Sequence, residues 1–359
     1  MVGQLPRHPG GGGMKRRALL QMLALAPVLA AGNGLVQAMP AQRVLRLGAP
    51  AGTPRRVFAA GPPAAVLIAA LAPERLLGWP MRVSPEALDQ LPAPLRSLPV
   101  IGRLAGRGST VSLERLLAMQ PDLVLDAGDF DDNYRSSAER VWQQTGIPIE
   151  LVAGRLPDHP AQLRHVGRLL GVAARGEALA QAAEAQLALV DEVLAARPVD
   201  TRPTVYYGRG SDGLESGLAG SINTEVIAFC GGRNVAAAAG SGGLARVSME
   251  QLLAWDPDVV LTQDAAFAAG APQDPRWRSL RAVREGRLYC APTLPFGWLD
   301  GPPGINRLPG LAWLLARLHP GAVPALAPAA LRARIDDLYR LLWGQWLPAD
   351  IARALEHAR

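Results

Sequence analysis

The sequence predicts an α/β fold in two lobes joined by a long helix, on three observations: an internal repeat, an alternation of short apolar runs with helical stretches in both halves, and an Ala-rich helical segment between them. At 359 residues the chain exceeds one average domain. Apolar residues make up 49% and charged residues 19%, enough to bury a core and to exclude wholesale disorder. Two cysteines are too few for a disulfide scaffold or a four-thiolate zinc site.

The repeat is the most informative feature. Residues 112–125, Ser-Leu-Glu-Arg-Leu-Leu-Ala-Met-Gln-Pro-Asp-Leu-Val-Leu, recur at 248–261 as Ser-Met-Glu-Gln-Leu-Leu-Ala-Trp-Asp-Pro-Asp-Val-Val-Leu. Ser112 and Ser248 suit helix N-caps, and Val111 and Val247 are placed to staple onto Leu116 and Leu252. Glu114 and Glu250 fall in the first turn, where the helix dipole favours negative charge. Pro121 and Pro257 cannot continue a helix, and the apolar runs after them read as strands buried on both faces.

In the first half, Arg56 to Ala60 reads as a strand, Pro62 to Leu71 as a proline-opened helix, and Leu76 to Trp79 and Leu98 to Ile101 as strands. Ser136 to Thr145 reads as a helix and Ile149 to Val152 as a strand. In the second half, strands are expected at Thr204 to Tyr207 and Arg287 to Ala291. Helices are expected at Thr224 to Phe229, ended by Gly231-Gly232, and at Ile305 to Leu318 and Ala329 to Trp343. From Glu177 to Ala196 apolar residues keep helical spacing for about twenty residues, roughly 30 Å, enough to bridge two lobes.

The formal charge of +6 invites a nucleic-acid or membrane reading, but much of it sits at the N-terminus. Residues 14–38 have the layout of an export signal: Lys15-Arg16-Arg17, an apolar run from Ala18 to Ala31, and small residues at Val36 and Ala38. Arg16-Arg17 leaves both the twin-arginine and the general export route open. The apolar run is short for a bilayer span. Cleavage after Ala38 removes Arg7, Lys15, Arg16 and Arg17 and no acidic residue, leaving 33 basic against 31 acidic residues. With no cysteine near that point for a lipid anchor, a soluble periplasmic protein is expected.

The ordered set of export signal, Gly61-Pro62-Pro63, the 112–125 unit, the Ala-rich helix, Cys230-Gly-Gly-Arg-Asn-Val235 and the 248–261 unit resembles the periplasmic binding proteins of ATP-driven importers for iron–siderophore complexes and vitamin B12. The resemblance covers about residues 42 to 320. It implies two Rossmann-like α/β lobes joined by one rigid helix with a ligand cleft between them. The corresponding division is a leader at 1–38, a first lobe at 39–174, a bridging helix at 175–200 and a second lobe at 201–359. It further implies a monomer that delivers a chelated metal, foremost a ferric siderophore, to an ABC permease with its ATPase, without catalysis, cofactor or nucleic acid. Cobalamin, haem, a nickel or cobalt chelate and a molybdate-type oxyanion stay open.

In such a cleft, strand-end loops and helix starts supply the ligand contacts. The candidates are Gly61 and Pro62 at the first helix start, Arg107 in a glycine-flanked loop that also holds Arg103, and Tyr134 after an acidic loop that contains Phe130. In the second half they are Tyr207 and Arg209, Trp298 as a stacking face, and Arg307 as a bidentate fork. The family presents one surface glutamate per lobe to permease arginines: Glu139 matches the first position, and Glu225 lies one turn before the second, which here is Ala228. No metal ligands are assigned, because His159, His165, His319 and His357 form no helical pair. Cys230 and Cys290 suit either a disulfide or free thiols. The rival class, an exported hydrolase or chelatase, lacks a Gly-x-Ser-x-Gly elbow, a P-loop or a His-Glu-x-x-His helix.

Overall fold

Short apolar runs form two separate four-stranded sheets in a computed structural model that describes residues 43–106 and 108–356. The export signal, Arg107 and His357 therefore lie outside the described residues. The first sheet holds β1 (Val44–Leu47), β2 (Val57–Ala59), β3 (Leu123–Gly128) and β4 (Ile149–Ala153) in the order β1-β4-β3-β2. β2, β3 and β4 run parallel, with Phe58 beside Val124 and Leu125 beside Glu150, and β1 closes the edge antiparallel to β4.

The second half contributes β5 (Thr204–Tyr207), β6 (Glu215–Gly217), β7 (Arg233–Asn234), β8 (Leu244–Arg246), β9 (Val259–Thr262) and β10 (Leu288–Cys290). Four of these make an all-parallel sheet ordered β10-β9-β5-β7, and β6 pairs with β8 in a separate antiparallel ribbon. Every residue of β3 and of β9 is buried, as expected for parallel strands covered on both faces.

Several expected elements shift. Leu76 to Trp79 and Leu98 to Ile101 make only isolated bridges, Val57 with Leu76 and Trp79 with Val100. Pro80 and Pro99 lack the N–H a longer ladder needs. The helix expected from Ser136 starts at Asp132, because the Asp131 carboxylate accepts from the N–H of Asn133 and Tyr134 at 2.9 and 3.0 Å. β1 and the β6–β8 ribbon were not anticipated.

The Ala-rich helix spans Ala173–Ala195, about 35 Å. It starts four residues earlier than expected and includes Gly176, where the helix His159–Leu169 crosses it. A Cβ on Gly167 would lie 2.8 Å from the Gly176 Cα, so both glycines serve a close approach. The main core runs from Val57 and Val152 of the first sheet, through Leu179 and Val190 of this helix, to Val205 and Tyr339 of the second half. Trp79 of the first lobe meets Phe296 of the second at 5.9 Å, and Phe296 meets Trp343 at 5.5 Å. The architecture is a two-lobed α/β fold. Among the described residues no helix is long and apolar enough to cross a membrane.

Candidate functional site

Ligands of parallel α/β sheets collect at the carboxyl ends of the strands, where side chains and free backbone groups converge. Here the loops after β3, β4 and β6 meet around a cavity of about 560 Å³. The first lobe lines it with Arg43, Asp129, Phe130 and Arg155, the second with Gly220, Ser221 and Asn223. A smaller cavity of about 320 Å³ sits between Arg82 and Ser84 of the first lobe and Gln263 and Gly301 of the second.

The polar groups of the larger cavity are held by their neighbours. Arg155 Nη2 donates to Asp129 Oδ1 at 2.9 Å and to the Gly220 carbonyl at 3.0 Å, which joins the lobes across the cavity floor. Arg43 and Arg135 lie over the Phe130 ring at 5.6 and 5.9 Å from its centroid, so the ring carries two cations. Asn223 Nδ2 donates to Asp300 Oδ1 at 2.9 Å. Asp300 is itself fixed, because its N–H and carbonyl both bond the Gln263 amide and Arg209 Nε lies 2.8 Å from its Oδ2.

Beside this network stands a buried carboxylate. Asp126, near the end of β3, is 6% exposed and accepts one bond, from the Ala127 N–H at 2.9 Å. Burial raises its pKa to about 7. Gly61 is its neighbour: a Cβ there would lie 3.8 Å from Asp126 Oδ1, an ordinary van der Waals contact. Tyr134 is pushed up to about 12 by burial and by the negative charges of Asp126, Asp129 and Asp131.

The structure distributes the residues singled out in the sequence unevenly. Gly61 and Pro62 open the helix Pro62–Leu71 next to Asp126, and Tyr134 lies in the first turn of the helix Asp132–Thr145. Tyr207 is buried, its phenol raised well above its usual value by burial, and Arg209 is held between Asp300 and Glu215. Glu139 is exposed on its helix, and so is Ala228. Cys230 is buried and Cys290 exposed, and both are free thiols.

Three placements correct the sequence reading. Trp298, expected as a stacking face, is 1% exposed in the core, against Gly310, where a Cβ would lie 1.9 Å from the Trp298 carbonyl oxygen. Arg307, expected as an open fork, has no exposed surface and spends its donors on the carbonyls of Gly154, Ile222 and Gly304 and on Glu225. Glu225, expected on the docking surface, is turned inward to that arginine and to the Leu156 N–H. Arg307 ends a 3-10 turn, Ile305–Arg307, and is closed over by carbonyls of both lobes. Arg155, Asp129, Ser221 and Asn223 were missed. Arg155 had a usable signal, lying three residues beyond an expected strand.

Residues 86–293 match the profile of the periplasmic binding protein family, and the chain belongs to that family. Over 254 residues it is 27% identical to the molybdate-binding protein MolA of Haemophilus influenzae, a match covering 63% of this chain and 69% of that one. It is 28% identical over 200 residues to the vitamin B12-binding protein of Vibrio parahaemolyticus, covering 54% of this chain and 66% of the other. Among solved structures, an ABC transporter solute binding protein from Sulfurospirillum deleyianum superposes with a TM-score of 0.76 at 25% identity, covering 84% of this chain and 94% of that one. The chain is thus a solute-binding protein of the ABC-transporter type.

Proposed function

We propose that this member of the periplasmic binding protein family captures a metal chelate between its lobes, a ferric siderophore foremost, and passes it to the permease of an ATP-driven importer. The observation that carries the reading is the cavity of about 560 Å³ lined by both lobes. Its size falls in the range of small-molecule sites. Its lining of Arg43, Arg155, Ser221, Asn223 and backbone groups offers donors to an oxygen-rich solute, the carboxylates of Asp129 and Asp131 being held by Arg155 and by the helix N–H groups of Asn133 and Tyr134, and Phe130 offers a flat face. A macrocycle such as haem or cobalamin finds less support, because Phe130 is the one aromatic among the described lining residues and Trp298 is buried.

A second reading, a tetrahedral oxyanion, has support in the 27% identity to a molybdate-binding protein. In either reading the protein binds without catalysis and acts as an exported monomer after loss of residues 1–38. Lobes at 39–174 and 201–359 move little about the helix between them, and Glu139 meets the permease. Because Glu225 is turned inward, the second-lobe contact falls to other surface residues of the Glu225–Phe229 helix.

Calorimetric titration of the mature protein with a ferric trihydroxamate, cobalamin, haem, nickel–histidine and molybdate tests this. The ferric chelate is expected to bind below the micromolar range, and Arg155→Ala to weaken it about tenfold. Binding of molybdate alone moves the assignment to the second reading. Binding of none of them, with turnover of an ester or phosphate substrate, overturns the transport reading altogether.

A further inference from the structure

Three consecutive residues after β4 reach the second lobe. The Gly154 carbonyl accepts from Arg307 Nη2 at 3.2 Å, Arg155 Nη2 donates to the Gly220 carbonyl at 3.0 Å, and the Leu156 N–H donates to the Glu225 carboxylate at 3.3 Å. Arg307 and Glu225 close the set as an ion pair at 3.0 Å, and Arg307 Nη1 also donates to the Ile222 carbonyl at 3.1 Å. The guanidinium is 0% and the carboxylate 13% exposed. His159, buried beside Arg307, is held down to about 3 by burial and by that positive charge, so it adds no third charge.

A buried ion pair loses much of its hydration, and its mutual attraction offsets the loss only when further hydrogen bonds complete both partners. A well-packed apolar pair of similar volume would join the lobes at no such cost. What it could not do is fix two loops in direction, because apolar contact has no preferred angle. Here the bonded loops are also the cavity walls: Arg155, Gly220 and Ile222 line the solute cavity, and Arg307 or Glu225 stands behind each loop.

We infer that Arg307 and Glu225 are a positioning pair, a clasp that holds the 154–156 and 220–223 loops at a set separation and so fixes the width of the solute cavity. For its link to solute this rests on the cleft reading above, whereas the clasp itself is a property of the unliganded protein. Neither residue touches the solute. They act through Arg155 and the 220–223 loop.

The test places spin labels at Gln143→Cys and Gln251→Cys, exposed helical positions in the two lobes, in a Cys290→Ser background of the full exported chain. The parent is compared with Arg307→Lys, Glu225→Gln and the double variant Arg307→Met/Glu225→Leu, which removes both charges together and strands neither. The parent is expected to show one narrow interlobe distance distribution and each variant a broader one. A ferric trihydroxamate or molybdate, whichever the parent binds, is expected to bind about tenfold more weakly in the variants, chiefly through faster dissociation. A pair with a merely structural role lowers the melting temperature and leaves distribution and dissociation rate alone, and that result overturns the inference. Failure of all three variants to fold overturns it as well, since the pair is then part of the core and not a clasp. A parent that binds neither probe removes the ferric trihydroxamate and the oxyanion as solutes, while the distance measurement still decides the clasp.

Discussion

The 112–125 and 248–261 units are the same piece of structure built twice. The Ser112 and Ser248 hydroxyls each accept from the N–H three residues on, both at 3.2 Å. Val111 and Leu116 are buried together, as are Val247 and Leu252. Gln120 and Asp256, just before the prolines, both adopt positive φ, 47° and 35°. The recurring aspartate has the same task in each: Asp122 accepts from the Arg56 N–H at 2.9 Å and Asp258 from the Thr204 N–H at 2.8 Å, tying each repeated strand to the neighbour that precedes it.

One residue beyond the repeat the copies part. Asp126 is a desolvated carboxyl group two residues before the end of its strand, whereas the equivalent Thr262 is fully buried with its hydroxyl accepting from the Asp264 N–H at 3.1 Å. The scaffold is duplicated and the chemistry at its tips is not.

The largest test of that asymmetry is Thr262→Asp, which places a carboxylate where no surface is exposed. A loss of about 3 kcal/mol in urea unfolding at neutral pH is expected. A loss below about 1 kcal/mol would mean that the second tip tolerates charge as the first does.

Asp126 gives a pH signature of middle size. Its carboxyl is raised from 3.8 to about 7, so between about pH 4 and pH 7 the folded chain holds a proton that the unfolded chain has released. Its contribution is therefore fully present at low pH and is lost as pH rises through this window, by at most about 1.4 kcal/mol per pH unit. Asp126→Asn is expected to flatten that slope and Thr262→Asn to leave it unchanged. Equal slopes in both would show that another group titrates.

The smallest effect tests the likeness itself. Ser112→Ala and Ser248→Ala should each cost about 1 kcal/mol in thermal or urea unfolding. Costs differing by more than about twofold would break the equivalence of the two caps.

Much of the scaffold was legible in the residues. The caps, the staples and the prolines act within a turn or two of chain, so their pattern predicts the local structure it makes, and the long helix was visible in its spacing. The antiparallel β1 and the β6–β8 ribbon were not, because short half-exposed strands carry a weak periodic signal. Little of the candidate site was legible. Phe130 lines the larger cavity, whereas Gly61, Pro62 and Tyr134 lie near Asp126 outside that lining, Trp298 is core, and Arg307 and Glu225 bind each other.

By itself the sequence determined the α/β class, the repeated unit and the presence of the joining helix, because these follow from contacts between residues a few positions apart. Only the tertiary structure decided which polar side chains meet the cavity and which meet each other. Arg307 finds its partners at Ile222 and Gly154, 85 and 153 positions away, and no local pattern announces that a helix-start arginine will be closed over by another lobe. Exposure is a property of everything packed against a residue, and in a two-lobed protein half of that comes from the other end of the chain.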